Sequence, residues 1–168
     1  MPPGRTRLPE GVTIRDFRPG DEPGLVAVLR DLHRHENQIY DRSRPADTMD
    51  GWYIDHLKQE TARSQGRILV AEGPDGIVGY ASFHAVVTTE DDKDEIPHSY
   101  SCVGDLGVLA SRRSMGIGGA LLDACEALAR EAGQRWLRLS VLAGNDRARA
   151  FYQRHGLKEH LITLEKKL

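Results

Sequence analysis

Val12-Thr13-Ile14-Arg15-Asp16-Phe17 alternates apolar and polar positions and stops at Arg18-Pro19-Gly20, the pattern of a half-buried strand. Behind it, Asp21 reads as an N-cap and Pro23 as an early helical residue, and Leu25, Val26, Val28, Leu29 and Leu32 form a stripe at helical spacing. A second helix falls within Asp47 to Gln65, carrying Trp52, Tyr53, Ile54 and Leu57. Arg67 to Glu72 and Ile77 to Phe83 then read as antiparallel strands joined across Gly73-Pro74-Asp75-Gly76. Tyr100 to Leu109 is a central strand. After it, Ile117, Leu121, Ala124, Cys125, Leu128 and Ala132 share one helical face, which Gly133 terminates. Arg135 to Leu142 alternates again and should run parallel to the central strand, since a helix crosses between them. Asn145 caps another helix, with Ala148, Phe151, Tyr152 and His155 along one face and Gly156 as its stop. Leu157 to Lys166 alternates and predicts a last strand. The fold class is therefore α/β with a mixed sheet.

At 168 residues the chain is one domain by size, with residues 1–11 a loose tail lacking the apolar core of a signal peptide and 12–168 the folded unit. A formal charge of -2 and the absence of any basic run argue against a nucleic-acid partner. No apolar stretch is long enough to span a bilayer. Cys102 and Cys125 lack metal-ligand spacing and read as buried free thiols of a cytoplasmic protein. His33 and His35 fall on different helical faces, so no metal pair is expected. The acidic run Glu90 to Glu95 is a solvated loop or, on a sharper reading, a landing surface for a cationic substrate.

Chemistry concentrates after the central strand, at Arg112-Arg113-Ser114-Met115-Gly116-Ile117-Gly118-Gly119. A glycine loop that opens a helix points unpaired N–H groups and the positive end of the helix dipole at whatever lies in front of it. A phosphate-bearing ligand is the expected guest. The loop lacks the Lys-Ser/Thr ending of a P-loop, and its strand is not the first of a dinucleotide-binding unit.

Two stretches resemble the GCN5-related N-acetyltransferase (GNAT) superfamily. Arg113-Ser114-Met115-Gly116-Ile117-Gly118 is similar to its Gln/Arg-x-x-Gly-x-Gly/Ala loop, and Asn145 to Leu157 to its Asn-x-x-Ala-x-x-Phe-Tyr signature with a following Gly-apolar step. The resemblance implies the order β-α-α-β-β-β-α-β-α-β, with the fourth and fifth strands splayed to admit the pantetheine arm of acetyl-CoA. It implies that Leu106, Gly107 and Val108 pair with that arm and that the Val108 amide polarises the thioester. Ser114, Met115, Gly116, Ile117, Gly118 and Gly119 would hold the diphosphate, with Arg113 at the motif position and Arg112 at the surface. Asn145 and Ala148 would flank the arm. Tyr152 would protonate the leaving thiolate, the alternative being a core tyrosine.

Asp105 is the candidate general base, since only a free amine attacks a thioester; its alternative is a structural acceptor. The pattern is closest to the small polyamine-like or diamine acetyltransferases, which carry an acidic pair where this chain has Gly104-Asp105. Glu36 aligns with a substrate-contacting region of that subgroup. The implied partner is a small, cationic primary amine, with no metal, acting in a homodimer. A protein lysine or N-terminal acetyltransferase and a non-catalytic acyl-CoA sensor are the alternatives.

Overall fold

The computed structural model describes residues 6–168, so the first part of the predicted tail, residues 1–5, lies outside the described residues. The elements in chain order are β1 (Thr13–Asp16), α1 (Glu22–Asn37), α2 (Gly51–Arg63), β2 (Arg67–Gly73), β3 (Gly76–Thr88), β4 (Ser99–Val108), α3 (Ile117–Glu131), β5 (Leu137–Leu139) and α4 (Asp146–Arg154). They build one five-stranded sheet in the order β1-β2-β3-β4-β5. All neighbours are antiparallel except β4 and β5, which are parallel as the intervening helix requires.

Alternate residues of β2 are buried on opposite faces, so its continuous apolar run serves two cores at once. Ile68 and Val70 join Leu25, Val28 and Leu29 of α1 and Ile54 and Leu57 of α2, with Tyr80 of β3. Leu69 and Ala71 join Ile117, Leu121, Leu122 and Cys125 of α3 on the other face, with Phe83 and Val103. The sheet is thus the middle of three layers. Phe151 and Tyr152 of α4 pack against the edge of the α3-side core.

Three expectations need correction. Leu157 to Lys166 forms no strand: residues 157–168 carry no regular structure, and Leu161, Ile162 and Leu164 are 85%, 66% and 88% exposed. Alternation makes a strand only where an edge is offered, and β5 pairs over just three residues, Leu137–Leu139, instead of the predicted Arg135 to Leu142. The segment is held instead by surface ion pairs, Glu159 to Arg149 (2.8 Å) and Glu165 to Arg42 (2.6 Å). Asp21, finally, does not cap α1 with its side chain. Its carboxylate takes a bidentate pair from Arg15 (2.7 and 2.8 Å) and the Arg18 N–H, which leaves no oxygen for the helix.

The irregularity that shapes the site lies in β4. Ala81 pairs with Leu106 and Phe83 with Val103, so Gly104 and Asp105 together face the single residue Ser82. This is a one-residue β-bulge, which bends its strand and shifts the side-chain alternation beyond it. Pairing with β5 stops at Val103, immediately before the bulge.

Candidate active site

Beyond the bulge, β4 keeps β3 on one edge and has no neighbour on the other. Leu109 donates its N–H to Val78 O (2.9 Å) and Asp105 donates to Ser82 Oγ (2.7 Å), both toward β3. By alternation, the N–H groups of Leu106 and Val108 point into the gap left by β5. That gap is the predicted splay. At its mouth, Gly116 adopts φ 85°, a conformation that favours glycine, and α3 starts at Ile117. Ser114 also lies at positive φ (63°), and its hydroxyl accepts from Arg147 of α4 (3.2 Å).

The loop's two arginines divide. Arg113 turns back, donating to Val108 O (3.0 Å) and Asp31 (2.9 Å), so it fastens the loop to β4 and α1. Arg112 reaches Asp75 at the β2–β3 turn (3.2 Å). Across the gap, Asn145 caps α4 by accepting from the Ala148 N–H (3.1 Å), as its place in the sequence predicts. Phe151 stands 3.5 Å from where a Cβ on Gly118 would project. Met115 is exposed beside the loop.

The bulge settles where Asp105 points. Its Oδ2 accepts from Tyr53 Oη of α2 (3.0 Å) and Tyr80 Oη of β3 (3.2 Å), on the α1/α2 side of the sheet. Burial, partly opposed by these two phenols, raises its carboxyl above the ordinary range. Burial and the Asp105 charge in turn push both phenols well up, so they stay protonated donors. Glu36 of α1 is raised chiefly by burial, with His33 pulling the other way. His33 faces Tyr53 edge-on (5.8 Å between ring centres), and its Nδ1 is buried with no partner. Tyr152 is pushed up to about 12, by burial first and the Asp105 charge second. Asp105, Glu36 and Tyr152 therefore belong to one electrostatic neighbourhood.

The place of the second acidic residue has a physical explanation. A Cβ on Gly104 would stand 2.7 Å from Ser82 Oγ and 2.9 Å from His84 Nε2, so a side chain there would force these two to shift. His84 is anchored at Nδ1 by Ser64 (2.9 Å), and burial lowers its basicity. Cys102 lies on β4 before the bulge, and burial raises its thiol. The acidic run leads into the Ser99 end of β4, away from Val108, as an exposed loop. Among the described residues no cluster of three His, Cys, Asp or Glu side chains is placed to hold a metal, and no helix is long and apolar enough to cross a membrane.

Sequence reading missed Tyr53, Tyr80 and Arg147. Tyr53 and Tyr80 look like ordinary core aromatics, and nothing local signals that both reach one carboxylate. Arg147 carried a fainter sign: a basic residue two positions after a helix cap, in a stretch otherwise read for its Asn and Tyr.

Three kinds of relative bear on this geometry. Over 169 aligned residues the chain is 28% identical to a mycothiol acetyltransferase of Geodermatophilus obscurus, covering 96% of this chain and 49% of that protein. The chain thus spans about half the length of this curated relative. A mutant BH1408 protein from Bacillus halodurans superposes with TM-score 0.81 at 23% identity, covering 93% of this chain and 99% of that one. An aminoglycoside acetyltransferase, meta-AAC0020, from an uncultured soil metagenomic sample superposes with TM-score 0.65 at 19% identity, over 94% and 97% of the two chains. At such identities the structural likeness is one of fold. Residues 28–157 match the Acetyltransferase (GNAT) family, and the chain belongs to it.

Proposed function

We propose that the protein is an acetyl-CoA-dependent N-acetyltransferase that acylates the primary amine of a small, cationic acceptor by direct transfer in a ternary complex. The observation that carries this reading is the gap beyond the β4 bulge, which opens between a glycine loop, a buried carboxylate and a protonated phenol. The residues fit the coenzyme. Leu106 and the N–H of Val108, whose carbonyl is taken by Arg113, offer main-chain groups to an extended arm, while the first turn of α3 offers N–H donors to a diphosphate. Arg147, bonded to Ser114, adds positive charge at the same place.

Acetyl-CoA, when bound, supplies an acyl group activated as a thioester. The Val108 N–H stabilises negative charge developing on the acyl oxygen. Asp105 takes the proton that an ammonium must lose before it attacks, and its raised pKa brings it nearer to neutral pH, where such a base works best. Tyr152, protonated at neutral pH, gives its hydroxyl proton to the departing thiolate. Glu36 and Asp105 favour a cationic acceptor. A diamine or polyamine is the preferred subclass.

The proposed homodimer would use the unpaired outer edge of β5 and the C-terminal segment, where Trp136 (60%), Leu161 (85%) and Leu164 (88%) are exposed. A second copy of the chain would cover them, and mass measured in solution at rising concentration tests this. The two free thiols suit a reducing cytoplasm. For the activity, the test is thiol release from acetyl-CoA with a panel of amines. Turnover with a diamine or another small amine supports the reading. Tight binding of CoA with no turnover for any amine would instead mark a non-catalytic binder.

A further inference from the structure

The chain leading into β1 crosses the coenzyme's proposed seat. The Thr6 N–H donates to Asp123 Oδ2 of α3 (2.7 Å), which pins the segment against the helix that the glycine loop opens. The Arg7 carbonyl oxygen lies 2.7 Å from the Cβ position of Gly116. Thr6 Oγ1 lies 2.8 Å from the Cβ position of Gly119, whose other neighbour there is His155 Nε2 at 3.0 Å. Two oxygens of the segment therefore stand against the glycines of the loop, beside N–H groups that attract anions. A side chain at either glycine would collide with the segment, which therefore lies against the start of α3 on the side those glycines leave open.

The attachment is thin. Residues 6–9 join no strand or helix. An open groove of about 590 Å³, lined by Arg7, Leu8, Pro9, Glu10 and Met115, runs along the segment, so it is packed on one side only. Leu8 is the exception, since it packs against the α3-side core and marks where firm anchoring begins.

We infer that Thr6 and Arg7 form an autoinhibitory strap, which occupies the coenzyme's diphosphate seat and must lift off α3 before acetyl-CoA binds. This rests on the coenzyme reading above and adds its regulation. A site open for only a fraction of the time binds with an affinity reduced by that fraction, so a strap seated about 80% of the time weakens binding about fivefold.

The test compares acetyl-CoA affinity, by calorimetry, for the full chain, a chain lacking residues 1–7, and Asp123→Ala, each with its fold checked by circular dichroism. The strap predicts affinity about fivefold tighter for the shortened chain and a smaller gain for Asp123→Ala, with kcat unchanged. It also predicts that amides of residues 6–8 in the full chain exchange faster with solvent once acetyl-CoA is added. Equal or weaker affinity after shortening, with acetyl-CoA still bound by the full chain, overturns the strap and leaves the proposed function standing. Absence of binding from all three folded chains overturns both. Should the shortened chain fail to fold, Asp123→Ala and the exchange measurement decide alone.

Discussion

Tyr53 Oη donates a 3.0 Å hydrogen bond to Asp105 Oδ2 across 52 residues of sequence, joining α2 to the bulge of β4. The helix layer and the strand that offers Val108 are thereby locked at one carboxylate. With Tyr80 on the same oxygen, the hydrogen-bonding load falls on Oδ2. Oδ1 takes no part in either bond, and it is the oxygen that the proposed base role would use.

Asp105→Asn should lower kcat about 10²- to 10³-fold while leaving acetyl-CoA binding intact. In the native protein, kcat/KM should fall as pH drops through the raised Asp105 pKa, so the acid limb lies above the usual carboxylate range. Stability runs the other way. A carboxyl that holds its proton more tightly when folded contributes stability below its unfolded pKa and loses it as pH rises through the folded one. Thermal melts from pH 4 to pH 8 should therefore show Asp105→Asn lacking this component. An unchanged acid limb in the variant would remove Asp105 from the base role.

Tyr53→Phe tests whether the phenol positions the carboxylate. Its hydrogen bond holds the Asp105 pKa down, so its loss should move the acid limb of the pH profile to higher pH. A purely structural tyrosine would lower stability without shifting the profile.

Tyr152→Phe should cut kcat about 10²-fold with little change in the KM for acetyl-CoA, because in the proposed mechanism the hydroxyl acts on the leaving group. Steady-state kinetics at pH 7 and pH 9 would check it. An unchanged kcat would return Tyr152 to the role of a core residue.

Gly104→Ala should destabilise by about 1 to 3 kcal/mol, since the new Cβ drives into Ser82 Oγ and His84 Nε2. Urea unfolding measures this directly. A neutral result would mean that the bulge yields, and that an acidic pair could be rebuilt there.

The glycine loop, the Asn145 cap and the β2–β3 turn were legible in the sequence because each depends on what a residue type can do locally: adopt positive φ, or accept from a helix's first turn. The orientation of Asp105 was not. Counting by twos along β4 fails at a bulge, and the bulge exists only in relation to Ser82 on another strand. The partnership of Tyr53 and Tyr80 was hidden for the same reason, being a fact about three distant elements. The last strand was overread because Leu161, Thr163 and Glu165 alternate well enough, yet no neighbouring edge receives them.

The surplus residue opposite Ser82 leaves the two halves of β4 out of step. Upstream, Ser101 to Val103 remain zipped to Leu137–Leu139; downstream the same strand lets go. The miscount in the β3/β4 ladder and the end of the β4/β5 ladder thus fall at the same point of the chain, between Val103 and Leu106.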